Sequence, residues 1–152
     1  MNKELDKITN ILNNFLKQFD CTAKPGTDFA CYTDSNTITY ALVIADKYEK
    51  TFMDFTKRLF PNIRADPFLW STMHEIGHIE TENDFDEEDE IAYINAIKTV
   101  TTDEEYYNIP QEYAATDWAG TFMETHEEEI KVFWNKLAPA IQNFYTTLEV
   151  NK

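Results

Sequence analysis

The chain has few positive charges. It carries 13 lysines and arginines against 28 aspartates and glutamates, which gives a formal net charge of −15. Nucleic acids and anionic membranes select basic surfaces, so this balance argues against both as direct partners. We expect neutral or basic polypeptides as partners. An acidic protein of this size could also be a decoy that mimics DNA, which would require carboxylates at roughly phosphate spacing on one face.

Cysteines and long apolar segments are also scarce. The two cysteines are Cys21 and Cys31, and no stretch approaches the roughly 18 apolar residues needed to span a bilayer. The first six residues lack the apolar core of a signal peptide, so we expect a cytoplasmic protein with reduced thiols. With 152 residues, of which 14% are aromatic, the chain suits one densely packed domain over residues 1–152.

Histidine is equally rare, yet two of the three histidines are close together. His74, Glu75 and His78 form the pattern H-E-x-x-H, which is typical of zinc peptidases. On a helix, residues four apart are about 6 Å apart along the axis and share one face, so both imidazoles can bind one Zn²⁺ ion. Glu75 would then act as general base on the water that zinc activates. The alternative is an amphipathic helix that carries two ordinary histidines.

The residues around this motif predict that it lies on a helix. Asp66 and Pro67 supply an N-cap residue followed by proline at the first helical position. The predicted helix spans about residues 67–82 and includes Gly77, which lowers helix propensity by roughly 1 kcal/mol relative to alanine. We therefore expect Gly77 to allow close packing of a neighbouring element.

The rest of the chain is predicted to be mostly helical, with a small β-hairpin. Further helices are expected over about residues 3–19, 46–60, 88–100, 110–126 and 127–148. Two short strands are expected at 29–32 and 37–43, on either side of a turn at 34–36. Connections are expected around Pro25 and at 101–103. The predicted fold class is α+β, mostly α, with a central helix that carries the motif.

A catalytic zinc site needs a third protein ligand. The remaining histidine, His126, is one option. Glu82 is less suitable, because three positions on one straight helix spread over about 12 Å. We prefer Glu112, since the small residues Ala115 and Ala119 that follow it allow close helix packing.

These residues resemble the zinc-peptidase group called gluzincins, and most closely the ImmA/IrrE-type metallopeptidases of bacteria and their mobile elements. That family pairs H-E-x-x-H, often with glycine before the second histidine, with a downstream helix of the form E-x-x-A-[DN]-x-F-A. The matching residues are His74, Glu75, Gly77 and His78 in the first motif, and Glu112, Ala115, Trp118 and Ala119 in the second. Trp118 replaces the phenylalanine of the family, and Thr116 stands where the family usually shows an acid or an amide.

The resemblance implies a zincin-like fold whose single zinc ion is held by His74, His78 and Glu112. In such a fold, a strand edge beside the motif helix binds an extended substrate by backbone hydrogen bonds, and residues 37–42 are the expected edge. The implied activity is limited proteolysis of a protein substrate, such as a repressor that controls stress or mobile-element genes. The repressor would bind DNA, and this protein would not. A scaffold that regulates a partner without cutting it is the competing interpretation.

A zinc peptidase also needs a hydrogen-bond donor for the oxyanion that forms as water attacks the carbonyl. Tyr106, Tyr107, Tyr113 and His126 are the candidates in this sequence. Each tyrosine is more often a packing residue with a solvated hydroxyl, so the sequence does not choose among them.

Overall fold

A computed structural model describes residues 2–42 and 46–150 of the chain. Its helices are α1 (Lys3–Leu16), α2 (Asp46–Leu59), α3 (Pro67–Thr81), α4 (Glu87–Thr99), α5 (Asp103–Tyr107), α6 (Pro110–Thr125) and α7 (Glu127–Val150). Its strands are β1 (Thr22–Pro25), β2 (Ala30–Tyr32) and β3 (Thr37–Tyr40). Over the described residues the protein is mostly helical with a small three-stranded sheet, which confirms the predicted α+β class.

Most helix bounds agree with the predictions to within two residues. The first predicted helix, 3–19, is an exception, because α1 gives way to a 3₁₀ turn over Lys17–Phe19. That turn ends at Asp20, whose φ of 51° is left-handed. The short helix α5 was not predicted, and it follows the expected connection at 101–103.

Contacts between residues divide the chain into two compact units. The first contains residues 2–42 and 126–150, and therefore α1, the sheet and α7. The second contains residues 46–125, and therefore α2 to α6. The prediction of a single domain stays a prediction.

The first unit is built on the apolar face of α1, which packs against α7 and β1. Ile8, Leu12 and Leu16 recur every fourth residue and are fully buried. Phe15 on the same helix stacks on Phe133 of α7, with ring centres 3.9 Å apart. The amphipathic pattern of the N-terminal segment thus produces the core of this unit.

The sheet of the first unit corrects one prediction. Its strand order is β1-β3-β2, with β1 parallel and β2 antiparallel to β3. The expectation that residues 37–42 offer a free strand edge is wrong, because β3 is the central strand and is paired on both sides. Its second neighbour is β1, which ends at Pro25, where the sequence predicted a connection. The predicted strand 37–43 ends at Tyr40, and Val43 lies outside the described residues.

The second unit is organised around the contact between α3 and α6, the most extensive between any two elements. The helix α2 contacts α5 and α6, and it buries Phe52 and Phe55. In contrast, α4 contains no buried residue. The motif helix α3 is therefore held mainly by the helix that carries Glu112.

Candidate metal centre

The H-E-x-x-H residues lie on α3, which begins as the sequence predicts. Asp66 Oδ1 accepts a 2.8 Å hydrogen bond from the amide of Phe68, and Pro67 is the first helical residue. His74 is 5% exposed, whereas His78 is half-buried. The centres of the two imidazole rings are 4.7 Å apart. One turn of helix thus brings both side chains to the same side of α3.

Gly77 determines how closely α6 approaches α3. A Cβ atom on Gly77 would lie 2.3 Å from the carbonyl oxygen of Ala115 and 2.9 Å from its Cα. Because these are backbone atoms, a side chain at this position would force the helices apart. Ala115 and Ala119 are themselves fully buried. The predicted close packing is therefore confirmed, and it brings Glu112, in the first turn of α6, to the two histidines.

The three predicted ligands present their donor atoms at the corners of a nearly equilateral triangle. His74 Nε2 lies 3.1 Å from His78 Nε2 and 3.1 Å from Glu112 Oε1, and His78 Nε2 lies 3.2 Å from the same oxygen. Two ligands bound tetrahedrally to Zn²⁺ at about 2.05 Å would be about 3.3 Å apart. The observed triangle therefore fits the donor set and the size of a structural or catalytic zinc site.

Thr116 fixes the orientation and the tautomer of His74. Its Oγ1 lies 3.2 Å from the carbonyl oxygen of Glu112, to which it donates, and 2.9 Å from His74 Nδ1. Because the hydroxyl hydrogen is used on the carbonyl, Thr116 accepts from Nδ1–H, which turns the Nε2 atom of His74 toward Glu112 and His78. Thr116, which stands where the resembled family shows an acid or an amide, therefore orients a candidate metal ligand.

The cluster places atoms that can bind a proton or a cation against one another. His74 Nε2 and Glu112 Oε1 are 3.1 Å apart in a buried site. Such a pair is stable only with a proton or a cation between the two atoms. A metal ion bound by all three groups would satisfy every one of these atoms.

The charges in this cluster change the ionisation of its members. Burial alone would raise the pKa of the Glu112 carboxyl, but hydrogen bonds with His74 and His78 lower it well below its usual range. Burial alone would lower the pKa of His78, but the neighbouring Glu112 and Glu75 raise it above the usual value. Glu112 is therefore ionised at neutral pH, as a carboxylate ligand must be.

Glu75 is half-buried beside this cluster. Burial raises the pKa of its carboxyl and Glu112 adds to the effect, while the charges of His74 and His78 oppose it. The net effect is a raised pKa, which makes the carboxylate a better proton acceptor near neutral pH. Its position and its ionisation both suit the general base that the sequence predicts.

Tyr93 and Tyr106 lie beside Glu112. Of these two, the sequence analysis named Tyr106 and missed Tyr93, which contacts Glu112 directly. Tyr93 of α4 donates a 2.7 Å hydrogen bond to Glu112 Oε2, and the hydroxyl of Tyr106 interacts with that of Tyr93. Burial and the charge of Glu112 raise the pKa of both phenols, so both keep their protons at neutral pH. Tyr93 is the sole aromatic residue of α4, which is the only sequence signal that could have identified it.

The other predicted oxyanion donors lie in different surroundings. Tyr107 packs against Phe52 and Phe55, with ring centres 5.2 Å and 5.5 Å apart, as a packing residue would. Tyr113 is 40% exposed. His126 belongs to the first unit, and it is not a member of the cluster of potential metal ligands. Among the described residues, that cluster consists of the three predicted side chains.

Comparison with known protein families, with characterised proteins and with solved structures finds no match to this chain. Across residues 2–42 and 46–150, no helix combines the length and the apolar character needed to cross a membrane. The function therefore has to be argued from the site itself.

Proposed function

We propose that the protein is a zinc-dependent metallopeptidase in which His74, His78 and Glu112 hold the metal and Glu75 is the general base. The observation that carries this proposal is the triangle of donor atoms, with sides of 3.1–3.2 Å, in which two imidazole nitrogens face a carboxylate oxygen. Two histidines and one carboxylate are the ligands of known catalytic zinc sites that leave a fourth position open.

The side chains around the triangle have separate tasks. A bound zinc ion would activate a water molecule and polarise the carbonyl of the substrate. Glu75 would accept the proton of that water and pass it to the departing amine, which its raised pKa favours. Thr116 holds His74 in the correct tautomer, and Tyr93 holds the second oxygen of Glu112.

We further propose that the activity is limited proteolysis of a protein substrate, of the kind performed by ImmA/IrrE-type peptidases on repressors. The motif residues and the E-x-x-A segment support this, because α3 and α6 bring the two matched segments into contact. The strongly acidic composition is consistent with a neutral or basic protein substrate.

The test begins with metal content, measured by elemental analysis of protein purified without a histidine tag. We expect about one zinc per chain. His78→Ala and Glu112→Ala should each lower the affinity for zinc by more than about 100-fold. Glu75→Gln should keep zinc and lose hydrolysis of a fluorogenic peptide library rich in basic and apolar residues. Glu82→Gln is the matched control, because it neutralises a half-buried glutamate beyond the end of α3 that is not a member of the cluster.

The outcomes separate the competing interpretations. Zinc binding that is unchanged in Glu112→Ala would refute the ligand set. Zinc that is bound and lost as expected, with no hydrolysis by the wild type, would favour a scaffold that regulates its partner without cutting it. Absence of metal even after zinc is added would refute the metallopeptidase.

A further inference from the structure

The helix α4 exposes a row of large apolar side chains. Ile91, Ile94 and Ile97 are 55%, 53% and 43% exposed, and they recur at intervals of three residues. No residue of α4 is buried. A row of exposed isoleucines on one helix is a feature of interaction surfaces, whereas single exposed apolar residues are ordinary.

The isoleucines face away from the body of the second unit. At about 100° per residue they cover an arc of about 120° on α4. The half-buried residues Tyr93 and Asp89 lie on the other side. There Tyr93 donates to Glu112, and the backbone carbonyl of Asp89 accepts a 2.9 Å hydrogen bond from Gln111 Nε2. The outer face of α4 is therefore exposed while its inner face contacts the helix that carries Glu112.

The isoleucines do not stabilise the helix that carries them. Isoleucine is a weaker helix former than alanine, and these side chains are not buried on folding. The start of α4 is instead stabilised by a capping box, in which the side chains of Asp86 and Asp89 each accept a 2.9 Å bond from the other's amide. The row therefore needs an explanation other than local stability.

Charge on the same face restricts the partner. Glu87, Glu90 and Lys98 fall within the arc of the isoleucines, and the first turn of α4 also carries Glu88 and Asp89, so acidic residues outnumber the one lysine. A second copy of this chain would bring the same negative charges together, and the net charge of −15 would oppose it further. A partner with both apolar and basic side chains fits both properties.

We propose that the face formed by Ile91, Ile94 and Ile97 with Glu87 and Glu90, here called the α4 face, docks a basic amphipathic segment of the protein substrate. This proposal rests on the proposed function, since it names the class of substrate. Tyr93 of the same helix contacts Glu112, so a segment bound on the α4 face is separated from the candidate metal centre by the width of α4, about 10 Å. Docking outside the cleavage site would let the enzyme select a protein substrate even if the residues on either side of the cleaved bond vary.

The test is binding of a fluorescent 18-residue peptide of leucine and lysine with helical amphipathic spacing, measured by anisotropy. We expect the full chain to bind it both with and without added zinc, and to ignore a leucine and glutamate peptide of the same pattern. Ile94→Gln and Ile91→Gln should each weaken binding by about tenfold, because each removes apolar surface that the bound peptide would cover. Glu90→Gln should weaken binding less and should reduce its dependence on salt.

Val132→Gln is the matched control, since Val132 is an aliphatic side chain that is 54% exposed on α7. It should leave peptide binding unchanged, and zinc content should be unchanged in every isoleucine variant. Binding that survives in Ile94→Gln, or that a scrambled peptide reproduces, would overturn the proposal in favour of non-specific charge attraction. A wild type that dimerises while Ile94→Gln remains monomeric would overturn it in favour of self-association. A protein that binds the peptide but takes up no zinc even when zinc is added would refute the metallopeptidase and leave the α4 face as a docking surface.

Discussion

The candidate metal centre has two sides that are built differently. On one side, α3 and α6 pack so closely that Gly77 has no room for a Cβ atom, and the residues between them are fully buried. On the other side, α4 reaches the centre through the hydroxyl of Tyr93 and a hydrogen bond from Gln111, without a buried residue of its own. The first side supplies every predicted ligand, and the second supplies a supporting donor.

This difference indicates what each side contributes. Ligand positions have to be fixed to a few tenths of an ångström, and close backbone packing provides that rigidity. A helix with few buried contacts opens at low free energy, so α4 can move without disturbing α3 and α6. The metal affinity should therefore depend mainly on the first side.

The largest effect is expected from filling the space between α3 and α6. Gly77→Ala places a methyl group 2.3 Å from a backbone oxygen, so the helices must separate. We expect a loss of roughly 1–3 kcal/mol in the free energy of unfolding, despite the better helix propensity of alanine. Zinc affinity should fall by about 100-fold or more, because Glu112 moves away from both histidines. Urea unfolding and a zinc titration against a chelator measure the two quantities.

Gly120→Ala is the control for this comparison. A Cβ atom there would lie 2.2 Å from the ring of Phe60, which is a side chain rather than backbone and can move. This variant should lose some stability and keep its zinc affinity. An equal loss of zinc affinity in both variants would show that general destabilisation, and not the α3–α6 distance, controls the site.

A smaller effect is expected from Thr116, which acts on a single ligand. Thr116→Val removes the oxygen that accepts from His74 Nδ1 and keeps the shape of the side chain. Loss of such a supporting hydrogen bond typically weakens metal binding by about 10–100-fold. Thr116→Ser keeps the hydroxyl and should bind zinc as the wild type does. The expectation fails if valine and serine at this position give the same zinc dissociation constant.

The sequence predicted the first side of the site well. Asp66 and Pro67 mark the start of α3, and Pro110 is the first residue of α6, so both ligand helices have local signals. The choice of Glu112 rested on the small residues that follow it, and the structure shows why they matter. Whether these side chains bind zinc stays a prediction.

The sequence predicted poorly those features that depend on distant partners. β1 has four residues and ends in proline, so it becomes a strand only because β3 is available beside it. That pairing makes β3 central, which no local pattern could show. Tyr93 was missed for a similar reason, since α4 lacks a buried face whose periodicity would indicate the direction of its side chains.

The smallest effect on zinc is expected from Tyr93, and it tests whether α4 is held as loosely as its contacts indicate. Tyr93→Phe removes the hydrogen bond to Glu112 Oε2 but leaves Oε1 facing both histidines. Zinc affinity should therefore fall by no more than about tenfold, at the lower end for a supporting residue. Amide hydrogen exchange in α4 should accelerate clearly, because one of the few hydrogen bonds that hold α4 to α6 is lost, while exchange in α3 and α6 should be unchanged.

Tyr106→Phe, which leaves the Tyr93 bond to Glu112 in place, is the matched control. Faster exchange throughout α3 as well would mean that Tyr93 belongs to the closely packed side, and that the two sides of the centre are one cooperative unit.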